Sequence, residues 1–304
     1  MSNSKFQDSF FSYVEEVTPG TTPGTPSMKK LRTKNPLNPN PNKSLLESEE
    51  VLSHRQREHV RHGMRGFSGN VPTDFSFGAY NDMLAALLSG VWEAGVLKVG
   101  STQKTFTVEQ KINADKFIRG LGVTPSQLSI TIITNQLVTC GWDFVGMDFS
   151  YEATSLGTPA DVATHPPFDG LGGATIEEGG SAISIVTSLN MTINASKSVG
   201  GLVGTNKGDV PTDGQVQVTG NLTARFNSLA LFSKFEDETE SSLKVTLINP
   251  ADSGDTLEIS LPRLKYNSGS PQNNGNVIDV SLDFEGLYDV TAESSIVITE
   301  VEAA

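Results

Sequence analysis

"QVQVTGNLTARF", residues 215–226, alternates without a break. Val216, Val218, Gly220, Leu222, Ala224 and Phe226 face one way, while Gln217, Thr219, Asn221, Thr223 and Arg225 face the other. A period of two marks a strand with one buried side. "ISIVTSLNMTI" (183–193) repeats the pattern with Ile183, Ile185, Leu189, Met191 and Ile193, and "LKVTLI", "LEISL", "VIDVSLDFEG" and "SSIVITEV" follow it. "NPADSGD" (249–255) and "NSGSPQNNGN" (267–276) read as turns between them. A single amphipathic helix is expected in "FSFGAYNDMLAALLSGVWEAG" (75–95): Phe77, Tyr80, Met83, Leu84, Leu87, Leu88 and Val91 fall at helical spacing, and Gly95 sits at the stop. "NSLALFSKF" (227–235) adds a brief helical patch. The fold class is therefore mainly β, an antiparallel sandwich or barrel with a flanking α-helix.

The bulk properties agree. The 304 residues suffice for a sizeable core, and 29 glycines with 7% aromatic residues suit a turn-rich β protein. One cysteine, Cys140, excludes an intrachain disulfide framework and reads as a small buried side chain made in a reducing compartment. The N-terminus lacks the basic start and apolar core of a secretory signal, and no run approaches the roughly 18 apolar residues of a membrane span.

Charge divides the chain. Residues 1–70 hold ten Lys/Arg against seven Asp/Glu, a balance of +3, whereas the remainder holds twelve against twenty-eight, −16. Such a body repels nucleic acid rather than gripping it. The leader contains "TPGTTPGTPSMKKLRTKNPLNPNPN" (18–42), whose six prolines hold it to turn and polyproline geometry. Two zones are expected: a long extended N-terminal arm with a charged linker over 1–70, and a β-sandwich over 71–304 with a long loop at about 157–181.

Catalytic patterns are absent. In "HRQREHVRH" (54–62), His54, Glu58 and His62 would share one side if helical, but Arg55, Arg57, Arg61 and Arg65 crowd a cation there. "GVLKVGST" (95–102) lacks the Lys-Ser/Thr of a phosphate loop, and "GLGG" (170–173) lacks the strand–helix setting of a dinucleotide site. No cofactor, no metal and no enzyme activity are expected. The acidic alternation is more informative. In "VIDVSLDFEG" Asp279, Asp283 and Glu285 join Ser281 opposite Val280, Leu282 and Phe284, and Glu258 likewise alternates with Leu257 and Ile259. These four carboxylates are the candidates for a negative surface facing something it must not bind.

The order of motifs along the chain resembles the tail tube (major tail) proteins of long-tailed, non-contractile bacteriophages. "FSYVEEVTPGTTPGTPSMKKLR" and then "SEEVLSHRQRE" resemble their N-terminal region. "GFSGNVPTDFSFGAYNDMLAALLSGVW", "FTVEQ", "LSITIITNQLVTCGWDFVG", "QVQVTGNLTARF" and "ISLPRLKY" continue the resemblance over nearly the whole chain. It implies a structural virion protein, made in the host cytoplasm, whose homo-hexameric rings stack into the tail tube. Its implied partners are a tape-measure protein, the tail terminator and baseplate or tip proteins, with DNA passing through unbound. On that view Glu258, Asp279, Asp283 and Glu285 line the lumen. Arg55, Arg57, Arg61 and Arg65 make inter-ring contacts, and the arm is ordered only by lying on a neighbour. Two other readings stay open: a tube subunit of a tail-derived secretion or injection machine, and a monomeric β-sandwich binding module.

Overall fold

Alternating residues become strands wherever a partner strand can take their backbone hydrogen bonds, and here almost every one does. The structure is a computed structural model that describes residues 6–302 except 52, 55, 114, 162–164, 228, 229, 252 and 253. In chain order the elements begin with β1 (Phe10–Glu15), β2 (Lys29–Leu31), β3 (Asn40–Glu47), β4 (Val60–Asp74), α1 (Asn81–Leu87) and β5 (Val96–Lys98). Next come β6 (Phe106–Asn113), β7 (Lys116–Ile133), β8 (Thr139–Gly146), β9 (Asp148–Glu152), β10 (Ala174–Glu178) and β11 (Ser181–Ala182). The chain ends with β12 (Val186–Asn194), β13 (Gln217–Arg225), α2 (Ala230–Glu236), β14 (Ser241–Ile248), β15 (Thr256–Asn274), β16 (Val277–Gly286) and β17 (Val297–Val301).

Every pairing between these strands is antiparallel. The central sheet runs β4–β8–β7–β12–β13–β16–β15. Two long strands leave it for other sheets. The first half of β7 joins β9, β6, β1 and β2, and the first half of β15 joins β14, β10, β17 and β5. Register shifts near Pro125 and Tyr266 mark where each strand turns from one layer to the next.

The apolar sides of these layers meet in one core. Leu128, Ile130, Leu189, Met191, Leu222 and Leu282 come from the central sheet, and Leu243, Val245, Leu257 and Ile259 from the β14–β15 layer. Gly220 lies in strand β13 because the Phe284 ring crosses it, and a β-carbon there would overlap that ring. The fold is thus the mainly β sandwich that the alternation implies.

The helix is shorter than its pattern. It spans Asn81–Leu87, not 75–95, because the chain turns back at Ser89 and Gly90. The N–H of Gly100 donates to Leu88 O and that of Thr102 to Ser89 O, and Gly90 backs onto the Lys98 carbonyl with no room for a β-carbon. Phe77 is buried just before the helix, and Val91 is exposed after it.

"NSGSPQNNGN" is likewise strand for most of its length. β15 runs to Asn274 against β16, and the turn is only Gly275–Asn276. Hydrogen bonding to β16 overrides the turn-forming composition, and Pro271 is tolerated because this part of β15 is a sheet edge. Phe226, expected on the buried side, falls past the end of β13 and is exposed.

The leader differs most from its expected state. β1 adds to β6 over six residue pairs, and Phe11, Tyr13, Met28 and Leu31 are buried in the chain's own body. Residues 10–31 therefore pack on the chain's own body. The physical reason is visible in hindsight: "FFSYV" alternates, and Phe11 and Tyr13 bring aromatic area to the core. β4 also runs straight through residue 70.

Candidate functional surfaces

The surface with the most consistent chemistry is the outer, polar side of the central sheet. Residues directly opposite one another in paired strands share a face, so register alone builds it. One rank reads Asn70, Asp143, Gln127, Asn194 and Gln217 across β4, β8, β7, β12 and β13. The next reads Pro72, Gly141, Ser129, Thr192, Thr219 and Glu285, and ends at Lys265 on β15. A third reads Asp74, Thr139, Thr131, Asn190, Asn221 and Asp283. Most side chains are short and hydroxylated or amidic, and the charges on β4, β8 and β16 are carboxylates, with Lys265 at the β15 margin 3.8 Å from Glu238.

Those carboxylates are held by neutral donors. Asn70 Nδ2 and Gln127 Nε2 donate to the two oxygens of Asp143 at 2.8 and 3.1 Å. Asn221 Nδ2 donates to Asp283 Oδ1 at 2.7 Å, and Ser268 Oγ to Asp283 Oδ2 at 2.5 Å. The Ser268 hydroxyl and then the Asn221 amide keep the Asp283 carboxyl below the usual carboxylate range. Neutral clamps leave the negative charge in place, which a lysine or arginine would cancel. Asp74, at one margin, is instead bridged by Lys34 at 2.6 Å.

The structure does not bring the four acidic candidates together. Asp283 and Glu285 lie on this face, with Asn267 Nδ2 3.5 Å from Glu285. Asp279 is on the same side of β16 but only 4% exposed, opposite Arg225 and bonded by Asn274 Nδ2 at 2.8 Å. Glu258 belongs to the other layer. It stands between Thr246 and Thr299, 4.0 Å from Lys244, on the polar side of a sheet whose apolar side shares the core with the central sheet. Its side chain therefore points away from Asp283 and Glu285. Sequence reading missed Asp143, because "GWDFVG" shows one acid among aromatics, and only the strand register places it beside Asn70 and Gln127.

The basic candidates also separate. Arg55 lies outside the described residues. Arg57, in the segment joining β3 to β4, pairs with Glu47 at the end of β3. Arg61 is exposed on β4 opposite Leu46. Arg65 is built into the chain: its Nε lies 2.9 Å from Asp148 Oδ1, its guanidinium stacks 4.6 Å from the Phe149 ring centre, and it donates to Phe149 O. That engagement leaves Arg57 and Arg61 as the described members of the set that face outward.

The 157–181 excursion is docked for much of its course. Phe168 is fully buried against Phe75, Arg32 Nη1 donates to His165 O at 2.6 Å, and the Asp169 carboxylate accepts from the N–H groups of Leu171, Gly172 and Gly173. Its last residues form β10, which pairs with β14. Leu171 remains exposed.

The metal spacing does not arise, since His54 lies in coil and His62 on β4. Among the described residues no three His, Cys, Asp or Glu side chains form a metal-binding group. His165 packs edge-on against Phe77 with its Nδ1 3.1 Å from Asn249 Nδ2, and the Cys140 thiol is buried and pushed up by that burial. No helix among the described residues is long and apolar enough to cross a membrane. A comparison with protein-family models matches residues 7–286 to the family described as phage tail tube protein. A comparison with curated proteins yields no match.

Proposed function

Because this chain belongs to the phage tail tube protein family, a structural component of the virion tail, we propose that its polar central face is the wall of the tube lumen. Homo-hexameric rings stack, the central sheets stand side by side around the axis, and DNA leaves through the channel without binding it. The observation that carries this reading is the neutral clamping of Asp143 and Asp283, which keeps a smooth, hydroxylated face negative. Such a wall repels phosphate over about a Debye length, roughly 8 Å at physiological salt. Glu285 completes the lumen set; Glu258 lies outside it, and Asp279 serves the β15–β16 hairpin. Arg57, in the segment joining β3 to β4, and Arg61, on the projecting part of β4, are the inter-ring contacts. A tape-measure protein, terminator and tip proteins complete the tail, synthesis is in the host cytoplasm, and no catalytic step is assigned.

The test is electron microscopy of the purified chain across a concentration series, followed by a map of the tubes. Six-fold rings with Asp143, Asp283 and Glu285 facing the axis are expected. A map with these three on the tube exterior would overturn the wall assignment, and a persistent monomer even with the tape-measure protein would overturn the tube itself.

A further inference from the structure

The tip of the β15–β16 hairpin is built from a chemically reactive pair. Asn274–Gly275 is the one Asn-Gly step in the sequence, and it lies where β15 ends and the chain turns back into β16. Gly275 holds a φ of 67°, and a β-carbon there would meet no atom within 4 Å. Its N–H donates to nothing among the described residues. An exposed backbone nitrogen with no hydrogen bond and no side chain beside it is the nucleophile that a preceding asparagine amide is vulnerable to.

The electrophile is held in check. Asn274 pairs with Val277, and Gln272 with Asp279, so Asn274 and Asp279 are diagonal neighbours on one face of the hairpin. Asn274 Nδ2 donates to Asp279 Oδ2 at 2.8 Å. Asp279 is 4% exposed, and its Oδ1 is buried without a partner. Arg225 stands opposite on β13 but is exposed, and among the described residues no ion pair joins the two. The Asn274 amide is thus the side-chain donor that a buried carboxylate relies on, and a bond to an ionised acceptor is stronger than a neutral one.

We propose that Asn274 is a site of spontaneous succinimide and isoaspartate formation, and that Asp279 sets its rate. Gly275 N bonds to Asn274 Cγ and gives up its proton, the Cγ–Nδ2 bond breaks, and ammonia leaves with that proton. Water then opens the imide at either carbonyl, giving aspartate or isoaspartate. Attack begins only when the amide lets go of Asp279. The product alters the hairpin in two ways. A carboxylate replaces the donor to Asp279, so two acids stand side by side. Isoaspartate also carries the backbone through its side-chain carbon, one atom longer, which shifts the register of the last pairs, Asn274 with Val277 and Asn273 with Ile278. This edge of the central sheet therefore frays from its tip as the protein ages, whether or not it is assembled.

The experiment ages the purified full-length chain at neutral pH in heavy-oxygen water and maps its peptides by mass spectrometry. Conversion at Asn274 should outpace that at Asn267, an Asn-Ser step in the same strand, and the new carboxyl should carry one heavy oxygen. Asp279→Ala should speed conversion by about tenfold, the factor that losing one bond to a charged acceptor supplies. Asp279→Asn, which keeps the shape and removes the charge, should speed it less. An Asn274 still intact after Asn267 has reacted would overturn the site. Equal rates in wild type and both variants would overturn the control by Asp279. Should Asp279→Ala fail to fold, Asp279→Asn against wild type carries the same test. Asn274→Asp should quicken amide exchange from Val277 to Asp279 and leave β13 unchanged; unaltered exchange at the tip would overturn the fraying.

Discussion

The leader strand β1 and the β3–β4 ribbon come from the same stretch of sequence, rich in proline, asparagine and charge, yet they meet opposite fates. β1 is 6 residues long and buries Phe11 and Tyr13 completely or nearly so. β3 has 8 residues and leaves Leu45 and Leu46 at 57% and 60% exposure. The difference is what lies beneath. β1 fills a groove that ends in donors for Glu16, the Thr105 and Thr107 hydroxyls and the Gly122 N–H, whereas β3 pairs only with the projecting part of β4 and has no second layer under it. Local composition is a poor guide to burial when the decisive partner is a hundred residues away.

The comparison can be broken most easily at Phe11. Phe11→Ala should cost about 3–5 kcal/mol in chemical denaturation, while Leu46→Ala on the ribbon should stay within about 0.5 kcal/mol. Equal effects would mean that the leader is no more part of the body than the ribbon is. Next comes Glu16→Ala, which strands two buried hydroxyls and a body N–H; a loss of about 1–3 kcal/mol is expected, with faster amide exchange along β1 and β6. Unchanged exchange there would show that the aromatic side chains alone secure the leader.

A finer contrast lies within the ribbon. Arg65→Ala leaves Asp148, itself 5% exposed, with Lys207 at 3.3 Å as its remaining cation, and should lower stability by about 1 kcal/mol. Arg61→Ala should leave the melting curve unchanged and weaken only tube formation, read by sedimentation. A matching stability loss would place Arg61 in the same intrachain role as Arg65.

The smallest effect concerns Asp283. Its folded pKa is lowered, so its contribution to stability is present above the unfolded value of an aspartate and is lost as pH falls through the lower folded value. Asn221→Ala should move the Asp283 titration, followed by carboxyl NMR, back up toward the ordinary range and slightly blunt this acid-side loss. An unmoved titration would assign the shift to Ser268 alone.

Alternation by itself determined the class of the fold, because period two survives whatever the strands pair with. It also determined the inward sides of β13 and β16, Gly220 and Phe284 among them, and the order of motifs resembled the family that the chain proves to belong to. Helix length was not legible, since the backing of Gly90 onto Lys98 is a tertiary contact. Nor was the extent of β15, where pairing with β16 overrides "NSGSPQNN". The acidic surface was legible only in part. Alternation tells which side of its own strand a residue takes, so Asp283 and Glu285 were found together. It cannot tell which layer a strand belongs to, so Glu258 was grouped with them although it points the other way, and Asp143 was passed over. Long-range register alone decides such neighbours, because cross-strand proximity depends on pairing and not on separation along the chain.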